Sequence, residues 1–132
     1  MKEIIIGSSA ETTTIVNSTN TAITAGSGTL PVLGTPFMIA LMEKATSNAV
    51  FDFLEDDETT VGTSINVSHS KASGIGTVIS AKATIAECDG RKITFDVTAT
   101  DSSGDIIGKG TIERFVVNEN KFMKKVVGTN EI

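Results

Sequence analysis

Between Thr59 and Val117 apolar and polar residues alternate with period two in four successive segments, the signature of strands that bury one face. The first places Val61, Thr63, Ile65, Val67 and His69 on one face and Thr60, Gly62, Ser64, Asn66 and Ser68 on the other. The second shows Ile79, Ala81, Ala83 and Ile85 in phase, and the small alanines leave room for something to pack there. The third sets Ile93, Phe95, Val97 and Ala99 against Lys92, Thr94, Asp96 and Thr98. The fourth runs from Ile106 to Val117 and carries Gly108 and Gly110 on one face, a spacing that predicts a bend or a close backbone approach. Turn signals separate the segments: Ser73-Gly74, then Asp89-Gly90 as a type I′ hairpin, then DSSGD from Asp101 to Asp105.

The period changes upstream. Thr35 to Glu43, TPFMIALME, opens a helix predicted over Pro36 to Asn48, with Thr35 as an N-cap type and Pro36 at the first helical position, where no N–H is needed. Phe37, Met38, Ile39, Ala40, Leu41, Met42 and Ala45 surround it almost completely, the pattern of a helix buried on most sides. Lys2 to Ile6 and Glu11 to Val16 are β-prone runs, one of them expected at a sheet edge. Asn17 to Gly34 reads as a long loop, and the acidic FDFLEDDETT as a solvated connection. One helix, then a four-stranded antiparallel meander, with an N-terminal strand to complete it, describes an α+β protein. Its sheet of about five strands curves around one long central helix, which is the hot-dog architecture. Open edges of such a sheet need management, and edge-to-edge dimerisation supplies it.

Bulk properties narrow the function. The 132 residues suit a single domain over 1–132, and 39% hydrophobic with 20% charged residues is a globular balance. A formal charge of −5, with six Phe but no Trp or Tyr, argues against nucleic acid as a partner. No apolar window is long enough to span a membrane, and MKEIIIGSSAE is too short in its apolar core for a signal peptide, so a cytoplasmic location is expected. Cys88 stands alone and is read as structural. One His and one Cys exclude an ordinary His- or Cys-based metal cluster, and no P-loop, dinucleotide fingerprint or G-x-S-x-G elbow is present.

Two residues remain to be explained. A carboxylate inside an apolar helix costs stability unless compensated, which singles out Glu43. The only histidine, His69, lies on the strand face expected to meet that helix. A Glu–His pair can hold a water or orient an imidazole as general base, although a solvated helix-end Glu and a structural core His are the plainer readings. Thr35 is a plain cap or a catalytic hydroxyl. Eight residues at about 1.5 Å rise set it roughly 12 Å along the axis from Glu43, so the two cannot touch. The helix start also offers backbone N–H groups and a partial positive charge to an oxyanion. Arg114, Lys121, Lys124 and Lys125 form a basic set that suits either phosphates or solvent.

These segments resemble the hot-dog acyl-CoA thioesterases, most closely the fluoroacetyl-CoA thioesterase type, over about Leu33 to Val126. The similarity lies in TPFMIALME, VGTSINVSHSKAS, GRKITFDVTATD and GKGTIERFVVNENKF. The resemblance implies a catalytic set falling on Thr35, Glu43 and His69, with Gly62 toward the substrate; Arg114 is expected to bind substrate on account of its charge. The resemblance further implies hydrolysis of an acyl-CoA thioester at a homodimer interface, with a higher oligomer left open. No metal or cofactor is implied, coenzyme A being part of the substrate. The family's aromatic-bearing lid segment has no counterpart in Ala22 to Gly34, which holds no Phe, so a general short-chain acyl group is expected rather than fluoroacetyl. Two other readings stay open on the same fold: a non-catalytic acyl-CoA or small-ligand binding module, and a dehydratase of hydroxyacyl or enoyl thioesters.

Overall fold

The computed structural model describes residues 1–128. Its elements run β1 (Ser9–Ile15), α1 (Ala22–Ala25), α2 (Thr35–Phe51), β2 (Glu58–His69), β3 (Val78–Asp89), β4 (Lys92–Thr100), β5 (Ile106–Asn118) and α3 (Glu119–Val127). The five strands form one antiparallel sheet in the order β1-β3-β4-β5-β2. The curled sheet around one long helix is the hot-dog arrangement expected above.

Three parts differ from expectation. The meander has three strands, not four: β2 pairs with β5 at the far edge, while β1 takes the place beside β3. The physical reason is the connection between β2 and β3. Residues 70–77 are too many for a tight hairpin, and they carry the chain past the start of α2, where Val32 bridges Gly74. Next, Lys2–Ile6 is not a strand; it is tied down by single bonds such as Lys2 N–H to the Phe53 carbonyl at 2.7 Å. Last, the loop 17–34 contains the single-turn α1, capped by the Thr21 hydroxyl, and a Thr21–Leu33 bridge. The helix α3 lies beyond the predicted strands, with Asn118 as its N-cap.

The core follows the alternation closely. Ile79, Ala81, Ala83 and Ile85 of β3 and Ile93, Phe95, Val97 and Ala99 of β4 are all buried, opposite Met38, Leu41, Met42, Ala45 and Val50 of α2. The alanines keep this part of the sheet low, and Gly108 does the same on β5, where an added Cβ would stand 2.6 Å from Met38 Sδ. Thr12 of β1 donates its hydroxyl to the Leu41 carbonyl at 2.9 Å, pinning the helix to the sheet. The helix is less enclosed than its sequence predicts, since Pro36, Ala40, Lys44 and Asn48 are exposed along one stripe. It packs chiefly over β3 and β1 and reaches β2 only in passing. Residues 62–66 of β2 are exposed as a result. The β3–β4 hairpin pairs Asp89 with Lys92, so its two loop residues are Gly90 and Arg91 rather than Asp89 and Gly90. Positive φ falls on Gly90 alone (61°), as a type II′ turn requires.

Candidate active site

The strand β2 carries one irregularity with consequences for chemistry. Its register against β5 slips between Gly62 and Ser64, so Thr63 is an extra residue. A single insertion inverts the alternation. Before the slip the even residues face inward, and Thr60 is buried; after it the odd ones do, with Val67 and His69 half-buried beside exposed Ser68. The one-face reading of Val61 through His69 therefore fails at Thr63. The bulge is what lets Gly62 and His69 both turn toward the helix.

At the upper end of the helix, Thr35 Oγ1 and His69 Nδ1 are 2.8 Å apart. Gly34 is the N-cap and makes no side-chain cap bond, so the Thr35 hydroxyl is not spent on capping as expected. Pro36 carries no N–H, and the N–H groups of Phe37 and Met38 donate to the Gly34 carbonyl, so the amide this helix end offers an oxyanion is that of Thr35. Burial pushes the His69 imidazole below its ordinary pKa, opposed by the backbone of Lys71. Its Nε2 is buried without a partner in hydrogen-bond geometry. A neutral ring that shares a hydrogen bond with a hydroxyl is equipped to take a proton. The pair opens on a polar cleft of about 260 Å³, walled by small side chains that include Ala22, Ser27, Val32 and Ala72. A larger cleft of about 530 Å³ lies on the sheet at Asn66, Ser68, Asp96 and Lys109, and neither Thr35 nor His69 borders it.

Two turns down the helix stands a second group. Glu43 Oε2 lies 3.7 Å from Arg114 Nη1, an ion pair rather than a hydrogen bond. Arg114 is buried, with Nε donating to the Thr60 hydroxyl at 2.8 Å and Nη2 to the Thr60 carbonyl at 3.0 Å. Burial pushes the guanidinium down from its ordinary value, opposed by the Glu43 charge, and it remains a cation. Gly62, which pairs with Arg114 across the sheet, lets the Glu43 carboxyl lie close against the strand: a Cβ there would sit 2.9 Å from Glu43 Oε2 and push that side chain aside.

Of the expected residues, then, the fold joins Thr35 to His69 and Glu43 to Gly62 and Arg114, but it does not join Glu43 to His69. Arg114 also leaves the surface basic set: it faces inward, while Lys121 and Lys125 border a separate cleft with Phe115 and Phe122. Thr60, which holds Arg114, escaped sequence reasoning because the bulge that turns it inward leaves no local signal. Among the described residues no group of three or more His, Cys, Asp and Glu side chains is placed to hold a metal ion, and no helix is long and apolar enough to cross a membrane.

With this geometry the likenesses to known proteins can be weighed. The fluoroacetyl-CoA thioesterase of Streptantibioticus cattleyicolor is 39% identical over 95 residues, covering 72% of this chain and 68% of its own. A solved structure of the fluoroacetyl-CoA thioesterase FlK superposes with a TM-score of 0.89 at 30% identity, covering 97% of this chain and 98% of that one. A thioesterase superfamily member from Thermus thermophilus reaches a TM-score of 0.91 at 25% identity, with 99% and 96% covered. The family model for the fluoroacetyl-CoA-specific thioesterase matches residues 16–120, which span both the Thr35–His69 and the Glu43–Arg114 groups, and the chain belongs to that family.

Proposed function

We propose that this protein hydrolyses a short-chain acyl-CoA thioester to the free acid and CoA, using Thr35, Glu43 and His69 in a site completed across a homodimer. The observation that carries the reading is the 2.8 Å contact between Thr35 Oγ1 and His69 Nδ1 at the mouth of a cleft beside a helix start. The thioester carbonyl sits in that cleft, and the nucleophile is Glu43 itself or a water it prepares, with His69 managing the proton. Attack converts the carbonyl to an oxyanion held by the Thr35 amide and the positive end of the helix; its collapse breaks the C–S bond and releases CoA thiolate, which takes a proton to leave as CoA. Where water attacked, the free acid is formed at once; where Glu43 attacked, a water then hydrolyses the acyl anhydride on Glu43, giving the free acid and restoring the carboxylate. Arg114 stands beside Glu43 as its ion-pair partner, and Gly62 lets the substrate approach it. The limited volume of the cleft, about 260 Å³, suits a short acyl group, and the absence of Phe from Ala22 to Gly34 gives no reason to restrict it to fluoroacetyl. No metal or cofactor takes part.

Support for the dimer comes from β2. It is an edge strand, poorly covered by the helix, with Ile65 at 44% exposed. Antiparallel pairing of two such edges about Ile65 and Asn66 sets His69 of one copy against Gly62 of the other, closing the gap that a single chain leaves between the two groups.

The test is a panel of acyl-CoAs with a thiol reagent, applied to wild type, His69→Ala and Glu43→Ala. CoA release by wild type and its loss in both variants is expected. A wild type that binds acyl-CoA without releasing CoA would identify a binding module, and hydration of an enoyl-CoA without release a dehydratase. A monomer by light scattering at micromolar concentration removes the interface site.

A further inference from the structure

The strap between β2 and β3 carries more polar structure than a connector needs. The Lys71 ammonium bridges two carboxylates of the β4–β5 turn, 2.7 Å from Asp101 Oδ2 and 2.7 Å from Asp105 Oδ2. The Asp101 side chain is only 7% exposed, and its Oδ1 accepts the backbone N–H groups of Ser103 and Asp105, so this anchor is itself fixed. The N–H groups of Ser70 and Lys71 both donate to the Ile107 carbonyl. Two residues on, the Ser73 carbonyl accepts the Leu33 N–H at 2.8 Å, and Gly74 bridges Val32. The strap thus joins β5 on one side to the segment that leads directly into Thr35 on the other.

His69 sits where this strap begins. Its Nδ1 meets Thr35, its Nε2 is buried without a partner, and the backbone of Lys71 is the polar group that acts on the ring from the strap. An imidazole is oriented, and its tautomer chosen, by what each nitrogen faces. We propose that Asp101, Lys71 and Asp105 form a positioning clamp for His69, holding the strap so that Nδ1 accepts from the Thr35 hydroxyl and Nε2 keeps the proton. These are positioning residues: Lys71 borders the cleft, but its ammonium is turned to Asp101 and Asp105. The kinetic consequence rests on the hydrolase reading. The structural one does not.

Because His69 is the only histidine, ¹⁵N-histidine spectra report one ring. The comparison takes wild type, Lys71→Met, Lys71→Arg, Asp105→Asn and Thr35→Ala. Lys71→Met should move both ring nitrogens away from their wild-type shifts and toward those of Thr35→Ala. It should also lower kcat about tenfold with KM changed less than about twofold, as loss of orientation does. Lys71→Arg, which still bridges two carboxylates, should restore both. Asp105→Asn, at an exposed side chain that leaves the Asp101 turn bonds intact, should shift the ring less but in the same direction, and it carries the test if Lys71→Met does not fold. Ring signals that superimpose on wild type in the folded variants overturn the proposal, even with a lowered melting temperature, and so does an arginine variant that behaves like the methionine one. Shifted ring signals in a protein that releases no CoA leave the clamp standing and remove the hydrolase reading instead.

Discussion

The two ends of the Thr35–Glu43 stretch on α2 solve different problems. At Thr35 the helix has just begun, the side chain meets His69 by one uncharged hydrogen bond, and a cleft opens beside it. At Glu43 the helix is in its middle, the partner is a buried guanidinium, and the neighbouring strand residue has no side chain at all. One end sets a hydroxyl against an imidazole, an arrangement suited to moving a proton; the other sets a carboxyl against a buried cation. About 12 Å of helix separates them, so a single chain keeps them apart, and in the proposed reading they are two halves of a site.

The sharpest way to break this comparison is to disable one half at a time and then mix. His69→Ala and Glu43→Ala should each lower kcat/KM by about a hundredfold or more, the range for loss of a positioned acid or base. If the halves that cooperate come from different chains, co-expression of the two variants produces mixed dimers with one intact site and one doubly disabled one. About a quarter of wild-type activity should then return, half the dimers being mixed and each holding one good site. Sites built within one chain give no recovery, because every site then carries one lesion.

Arg114 tests the charged half by stability. Replacing it with Met leaves the buried Thr60 hydroxyl without the Nε donor and strips Glu43 of its partner. A loss of about 1–3 kcal/mol by urea denaturation is expected, from the unpaired buried polar groups. Glu43→Gln should cost less, since that side chain is 36% exposed and its pairing is weakened by solvent. Equal losses would mean that the pair, not the Thr60 bonds, anchors the arginine.

Gly62→Ala asks how tightly the same half is built. The position is exposed and its φ is unremarkable for any residue, so folding should be nearly unaffected. The new methyl group meets Glu43 Oε2 at 2.9 Å and displaces it, which should lower kcat about tenfold through lost orientation. An alanine variant with wild-type kinetics would show that Glu43 need not stand where it does.

How much of this was legible in the sequence follows from how local each signal is. The inward faces of β3 and β4 were, because alternation is a property of neighbours along the chain and nothing interrupts it from Ile79 to Ile85 or from Ile93 to Ala99. The helix was too, through Pro36 and its apolar run, though its last turn to Phe51 and its exposed Ala40–Lys44 stripe depend on where the sheet ends. Strand order was not. The partner of β2 is decided by the length and path of residues 70–77, and that path is held by contacts with Leu33 and Ile107 far away in sequence. The bulge at Thr63 was equally silent, since it is visible only against β5. Thr35, Glu43 and His69 stood out by residue type and by resemblance, yet their grouping depended on these two silent features. The pairing of Glu43 with Arg114 rather than with His69 is a tertiary outcome.

The smallest expected effect concerns pH and the uncharged half. His69 is held below its ordinary pKa, chiefly by burial. Above the ordinary imidazole range neither folded nor unfolded chain carries the extra proton, so the group adds no pH dependence there. Below about pH 6.5 the unfolded chain binds a proton that the folded chain resists, and stability falls as the pH falls toward the lowered folded value. Glu43 and Arg114 lie elsewhere, so this loss belongs to the Thr35 end alone. His69→Gln removes the titration. Its melting temperature should therefore converge on that of wild type, or rise relative to it, as the pH is taken from 7.5 to about 5. The same lowering should place the acid limb of kcat/KM below the ordinary imidazole range, because the proposed reaction needs the neutral ring. A melting-temperature difference between the two proteins that stays constant over that interval would mean that the histidine ring is no more averse to its proton folded than unfolded, and the division between a proton-moving end and a charge-keeping end would lose its physical basis.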